Sequence, residues 1–127
     1  MNVIDASVAF DALERSGTSR ERLTEVEAHA PHLIDAEVVH ALRRKVLRGH
    51  TDSELARRQL EIWGRASVQR HDARPLLART WDLRENLTAY DAQYVALAES
   101  LRCPLVTRDA GLAGAPGLRC EVQLLVD

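Results

Sequence analysis

Four carboxylates in this chain sit where surface duty explains them poorly: Asp5, Glu37, Asp91 and Asp109. Asp5 follows the short apolar run Asn2-Val3-Ile4, and Asp109 lies just past another, Pro104-Leu105-Val106-Thr107. Each has a hydroxyl for escort, Ser7 two residues after Asp5 and Thr107 two before Asp109. Glu37 falls inside an apolar helical stripe formed by Ile34, Val38, Ala41 and Leu42, where a carboxylate needs a partner or must be neutralised. Two carboxylates about 5 Å apart repel by roughly 3 kcal/mol at an effective dielectric near 20. Four gathered together would destabilise a fold, or take up protons, unless a cation sat among them. A donor set made only of oxygen favours a hard ion, Mg²⁺ or Mn²⁺, over zinc. Such an ion lowers the pKa of bound water and stabilises charge on a pentavalent phosphate.

Each acid also has a plainer reading. Thr88 to Asp91 spells T-x-x-D, close to the capping box in which the acid caps its own helix, and the helix dipole favours an acid in a first turn. Asp5 and Asp109 could be loop acids that start helices, and they leave on the same sheet edge only if their strands are parallel neighbours. Glu37 could snorkel out of its stripe or pair with Arg43 or Arg44. Spacing leaves these alternatives open.

The elements that must position the acids alternate between strand and helix. Residues 2–4 read as a buried strand followed by a short helix over 8–13, and a second helix over 19–30 is stopped by Pro31. Apolar residues recur at spacings of three and four over 33–47, and Gly49 ends that helix. A helix from Thr51 or Asp52 to about Arg65 follows, then a short strand over 67–70 and a helix over 74–84 with Pro75 early in it. Thr88 starts a helix running to Leu101, residues 104–107 form a strand, a helical turn reaches Ala113, and residues 122–126 close the chain as a strand. This order predicts a mostly parallel sheet covered on both faces, with ligands at the carboxyl ends of its strands. Trp63 and Trp81 read as core residues, and Asp35 as a helix cap.

At 127 residues the chain has room for one core, and a single domain over 1–127 is expected. With 46% hydrophobic and 28% charged residues, disorder is disfavoured. No apolar run is long enough to span a bilayer and no secretory leader pattern opens the chain, so a cytoplasmic protein is expected. Cys103 and Cys120 are too few for a disulfide framework and are expected to stay reduced. The histidines His29, His32 and His40 have poor zinc spacing, and no Gly-rich phosphate loop or nucleophile elbow occurs. Of 17 basic residues only Lys45 is a lysine, and arginine suits forked contacts with phosphate. A net charge of −2 does not preclude nucleic-acid binding where basic residues cluster on one side.

Four stretches, VIDAS at 3–7, PHLIDAEVVHALRR at 31–44, LTAYDAQYVALAE at 87–99 and PLVTRDAGLA at 104–113, resemble the PIN domain in composition and order. More narrowly, they resemble the VapC toxins of bacterial toxin–antitoxin pairs. The resemblance implies a three-layer α/β/α sandwich around a central parallel sheet of four to five strands. It also implies Mg²⁺- or Mn²⁺-dependent cleavage of RNA by a metal-activated water. On this alignment Asp5, Glu37, Asp91 and Asp109 take the places of the family's metal-binding catalytic acids, and Ser7 and Thr107 match the small polar positions that support the site. A homodimer and inhibition by a VapB-type antitoxin, whose C-terminal segment covers the acidic groove, are further implications. RNA would be held by cations near the acids, with Arg43, Arg44, Arg84 and Arg108 as candidates. Two other readings remain: a phosphatase or phosphotransfer protein with Asp5 as nucleophile, and a non-catalytic PIN-like binding module whose acids are caps and surface charges.

Overall fold

The computed structural model describes residues 1–127. Its five strands are β1 (Asn2–Ile4), β2 (Ala28–Pro31), β3 (Val68–His71), β4 (Leu105–Thr107) and β5 (Val122–Leu124). They form one sheet in the order β3-β2-β1-β4-β5, with every neighbouring pair parallel. The helices are α1 (Ala6–Glu14), α2 (Thr18–Glu25), α3 (Leu33–Leu47), α4 (Ser53–Arg65), α5 (Leu77–Asp82), α6 (Ala89–Leu101) and α7 (Ala110–Ala113). A 3-10 turn, Arg74–Leu76, leads into α5. Helices α1 to α4 pack on one another and α5 packs on α6, which lies against β1 and β2. The result is the three-layer α/β/α sandwich, with five strands in its central sheet.

Central strands buried on both faces should read as apolar runs, and β1 (NVI) and β4 (LVT) do apart from Asn2 at the start of one and Thr107 at the end of the other, with every residue buried. β2 does not. The expected helix over 19–30 ends at Glu25, Val26 is already extended, and Ala28-His29-Ala30-Pro31 forms the strand beside β1. Strand formation here is a tertiary effect. Two alanines and a histidine carry little β preference, yet all four residues are buried once β1 and β3 pair on either side. The last strand is also shorter than expected, ending at Leu124. Tight entry into β4 depends on Arg102, which takes a left-handed backbone (φ 54°) to turn the chain off α6.

Two side chains depart from their expected roles. Asp35 caps nothing. It accepts hydrogen bonds from Trp63 Nε1 (2.7 Å) and Arg70 Nη2 (2.8 Å), while the Arg70 guanidinium lies 5.1 Å from the Trp63 ring centre. Burial works to raise the Asp35 pKa, but the bonds from Arg70 and Trp63 hold it below the usual carboxylate value. Trp63 is core, as expected, at 4% exposure, whereas Trp81 is 66% exposed with Arg84 stacked 4.6 Å from its ring centre. Helix α5 buries none of its residues, Trp81 included, and it is Leu76 of the preceding 3-10 turn that enters the core. Cys103 and Cys120 are both free thiols, and burial pushes Cys120 up to about 11. No helix is long and apolar enough to cross a membrane.

The two tryptophans give a direct comparison. Trp63→Ala is expected to cost about 3–5 kcal/mol of stability in denaturant unfolding, because it leaves a buried void and strips from Asp35 the indole N–H it accepts. Trp81→Ala should cost less than about 1 kcal/mol, the size of an exposed cation–π contact. Equal losses would mean that the α5 surface is not as open as described.

Candidate active site

Asp5 is the hinge of the site. It stands between β1 and α1, is 6% exposed, and its Oδ1 accepts hydrogen bonds from the Ser7 and Val8 backbone N–H groups (3.1 and 3.2 Å) and from Ser7 Oγ (2.5 Å). Its Oδ2 accepts the hydroxyl of Thr107, the last residue of β4. Because β1 and β4 are parallel neighbours, with Ile4 beside Val106, that hydroxyl crosses directly from one strand end to the other. Thr107 Oγ1 in turn accepts the Asp109 N–H (3.0 Å), and Ser7 Oγ accepts the Arg108 N–H (2.9 Å). The two escorting hydroxyls therefore stitch the β1 and β4 ends together. Asp5 and Asp109 leave on the same edge of the sheet, where the strand order changes direction on either side of β1, the place at which open α/β sheets bind ligands.

The helices bring the other two acids to this edge. Glu37, half-buried on α3, pairs with neither Arg43 nor Arg44. Its Oε1 accepts the hydroxyl of Tyr94 (2.5 Å), which projects from α6 and is 1% exposed. Tyr94 reads from the sequence only as one residue of the amphipathic face of α6 with Tyr90, Leu97, Ala98 and Leu101, yet a buried tyrosine hydroxyl needs a partner, and Glu37 is that partner. Asp91 occupies the first turn of α6, but the cap is Thr88, whose Oγ1 accepts the Asp91 N–H (3.2 Å). The Asp91 carboxylate takes no hydrogen bond from the chain, so the capping box is incomplete and the acid is released from that role. Asp109 caps α7 through Oδ1 alone, toward Gly111 and Leu112 N–H.

Electrostatics tie the acids together. Burial raises the Asp91 pKa, and the charges of Asp109 and Asp5 raise it further. Glu37 is raised by burial and by Asp91 and Asp5, against the opposing bond from Tyr94. For Asp5, burial outweighs four stabilising hydrogen bonds and the pKa again moves up. No basic side chain is among the influences on any of the three. The acids feel one another's charge, yet no three already form a closed metal cage. Mg²⁺ does not need one, since it commonly holds one or two carboxylates and completes its shell with water.

The candidate arginines are scattered. Arg44 lines a cavity with Ser7 and Glu37. Arg43 is exposed on α3, outside that lining. Arg84 lies over Trp81, and Arg108 is held by Asp11 (3.4 Å) and Asp127 (3.0 Å) on the α1 side of the fold.

A group held neutral more easily in the fold than in the unfolded chain penalises folding once it ionises. The penalty is absent below the ordinary aspartate pKa of about 3.9 and is complete above the raised folded value. With EDTA present, Asp91→Asn should therefore melt above the wild type at pH 7, and the gap should close below about pH 4. A variant that melts below wild type at pH 7 would contradict this picture of the charge.

The PIN domain family matches residues 3–118. Ribonuclease VapC1 of Mycobacterium tuberculosis is 48% identical over 97% of this chain and 96% of its own. Among solved structures, a Pyrobaculum aerophilum protein superposes with a TM-score of 0.76 at 25% identity, covering 95% of this chain and 81% of the other. A toxin–antitoxin complex from Klebsiella pneumoniae shares the fold with a TM-score of 0.69 at 19% identity, covering 97% and 96%. With the order of its acids, its parallel sheet and these relatives in agreement, the chain belongs to the PIN-domain family and, within it, to the VapC ribonucleases.

Proposed function

We propose that the chain is the toxin of a type II toxin–antitoxin pair and hydrolyses an RNA phosphodiester at the Asp5, Glu37, Asp91 and Asp109 edge with a divalent cation, Mg²⁺ or Mn²⁺. The observation that carries the metal is the uncompensated charge: three of these acids have raised pKa values, two of them partly through their neighbours, and no basic group offsets them. A bound divalent ion supplies an acidified water and offsets charge on the phosphate. The rest falls to the chain. Ser7 and Thr107 hold Asp5 in one orientation, and Tyr94 holds Glu37 through Oε1, leaving its second oxygen without a hydrogen bond from the chain. Asp91, with no bond to the chain, and the uncommitted Oδ2 of Asp109 complete the donor set.

A phosphoryl-acceptor reading of Asp5 is disfavoured by the company it keeps: three bonds on Oδ1 leave Oδ2 as its open oxygen, and Glu37, Asp91 and Asp109 beside it suit a shared cation and would repel a phosphate that had none. A purely structural role for the acids is disfavoured by Glu37, which has no ion pair. The same reading pairs the toxin with a VapB-type antitoxin whose C-terminal segment covers the acidic groove, and places a homodimer and its RNA target in the cytoplasm.

Antitoxin-free protein is expected to cut cellular RNA with Mg²⁺ or Mn²⁺ and to stop with EDTA, as read by end-mapping of the products. Asp5→Asn or Asp91→Asn should lower the cleavage rate by at least about 100-fold, the scale for losing one preorganised group at a developing charge. Full activity in either variant would sink the mechanism.

A further inference from the structure

Beside the acids a groove runs along one side of α3. Its first part is a cavity of about 670 Å³ lined by Ser7, Phe10, Glu37, His40, Arg44 and Tyr90, among others. Its continuation, about 320 Å³, shares Phe10 and Arg44 and reaches Lys45 and Arg48. Glu37, Ala41, Arg44 and Arg48 recur at steps of four, three and four, so they share one helix face spanning about 16 Å at 1.5 Å per residue. The groove therefore begins at a proposed metal ligand and ends among cations. Lys45 is already paired with Glu14 (2.5 Å), whereas Arg44 and Arg48 enter no ion pair and are exposed. Tyr90, the residue before Asp91, lines the cavity at its acidic end and is 65% exposed.

We propose that this groove is the track of the single-stranded RNA leading away from the scissile phosphate. The base beside that phosphate stacks on Tyr90 above the floor made by Phe10, and the following phosphates meet Arg44 and Arg48. The assignment rests on the nuclease reading above and extends it to substrate contacts. Single-stranded RNA fits because its bases are free to stack on aromatic rings while its backbone seeks guanidinium groups. Continuity with the acids supplies the position, since Ser7 and Glu37 belong to both cavity and site. The charge order does the rest: phosphate is drawn by the arginine end and reaches the acids only where a cation has neutralised them.

The probe is a fluorescein-labelled random pool of single-stranded RNA about ten nucleotides long, within the usual range of single-strand sites. Binding to cleavage-silenced Asp91→Asn protein is followed by polarisation with Mg²⁺ between about 50 and 200 mM salt. In that background Tyr90→Ala should weaken binding about 5- to 10-fold with an unchanged salt slope, and Tyr90→Phe should restore it. Arg44→Ala and Arg48→Ala should each flatten the slope by about 0.7, the release expected per single-strand phosphate. Arg57→Ala, exposed on α4 away from the groove, serves as the control and should do neither. The proposal is overturned if Tyr90→Ala binds like its parent, if the arginine variants leave the slope unchanged, or if they weaken only the hold of an antitoxin C-terminal peptide. Cleavage by otherwise wild-type protein separates the two readings. If it cuts RNA and the groove variants have no effect, the groove assignment falls while the nuclease stands. If it does not cut but RNA binding still follows Tyr90 and Arg44, the groove stands and the nuclease reading falls.

Discussion

The hydrogen bond from Thr107 to Asp5 joins the ends of β1 and β4, and the geometry of the site depends on that junction. Two short strands, each three residues long, would be weak alone, but both are buried at the centre of the sheet with neighbours on either side. The adjacency brings acids more than a hundred residues apart to one edge. Ser7 and Thr107 then do double duty. Each donates to Asp5 and also accepts a backbone N–H from the segment carrying Arg108 and Asp109, so the loop after β4 is fixed to the loop after β1. Losing either hydroxyl would leave a nearly buried carboxylate short of partners, a cost the rest of the fold has no other group to cover.

Burial and charge pull against each other here. The apolar packing that holds Asp5 still also disfavours its ionised form, and Glu37 and Asp91 add their own repulsion. A fold selected only for stability would place apolar groups at this edge. On the proposed reading a divalent cation would offset that penalty, because a positive charge among Asp5, Glu37 and Asp91 favours their ionised forms. Elsewhere the chain treats acids conventionally: Glu99 accepts two bonds from Arg79 and Asp35 accepts from Arg70 and Trp63, and both carboxyls stay below their usual values although burial opposes this. The contrast between compensated acids away from the edge and uncompensated acids at it separates site from scaffold in physical terms.

Arginine distribution follows the same division. Arg70, Arg79 and Arg108 hold layers together through carboxylates, and Arg84 covers an exposed ring. On α3, Arg44, which lines a cavity with Ser7 and Glu37, has no carboxylate partner, and neither does Arg48 beyond it. Composition, with its near absence of lysine, could not distinguish these uses, because a forked guanidinium serves an internal carboxylate as well as a phosphate.

Several features were legible in the sequence because they depend on local pattern. The helices over α3, α4 and α6 follow from apolar periodicity and from the caps Asp52 and Thr88, and β1 and β4 follow from short apolar runs. The four acids could be named from their positions relative to those elements and from the order of four motifs. What needed the tertiary structure was whatever depended on neighbours distant in sequence. Ala28–Pro31 is a strand only because β1 and β3 flank it, and Asp35 leaves its helix end because Trp63 and Arg70 approach from elsewhere. The partner of Glu37 proved to be a tyrosine on another helix. Residue type and spacing determined which groups could do chemistry. Strand order and helix packing decided which of them meet, because electrostatic coupling depends on distance through space and not along the chain.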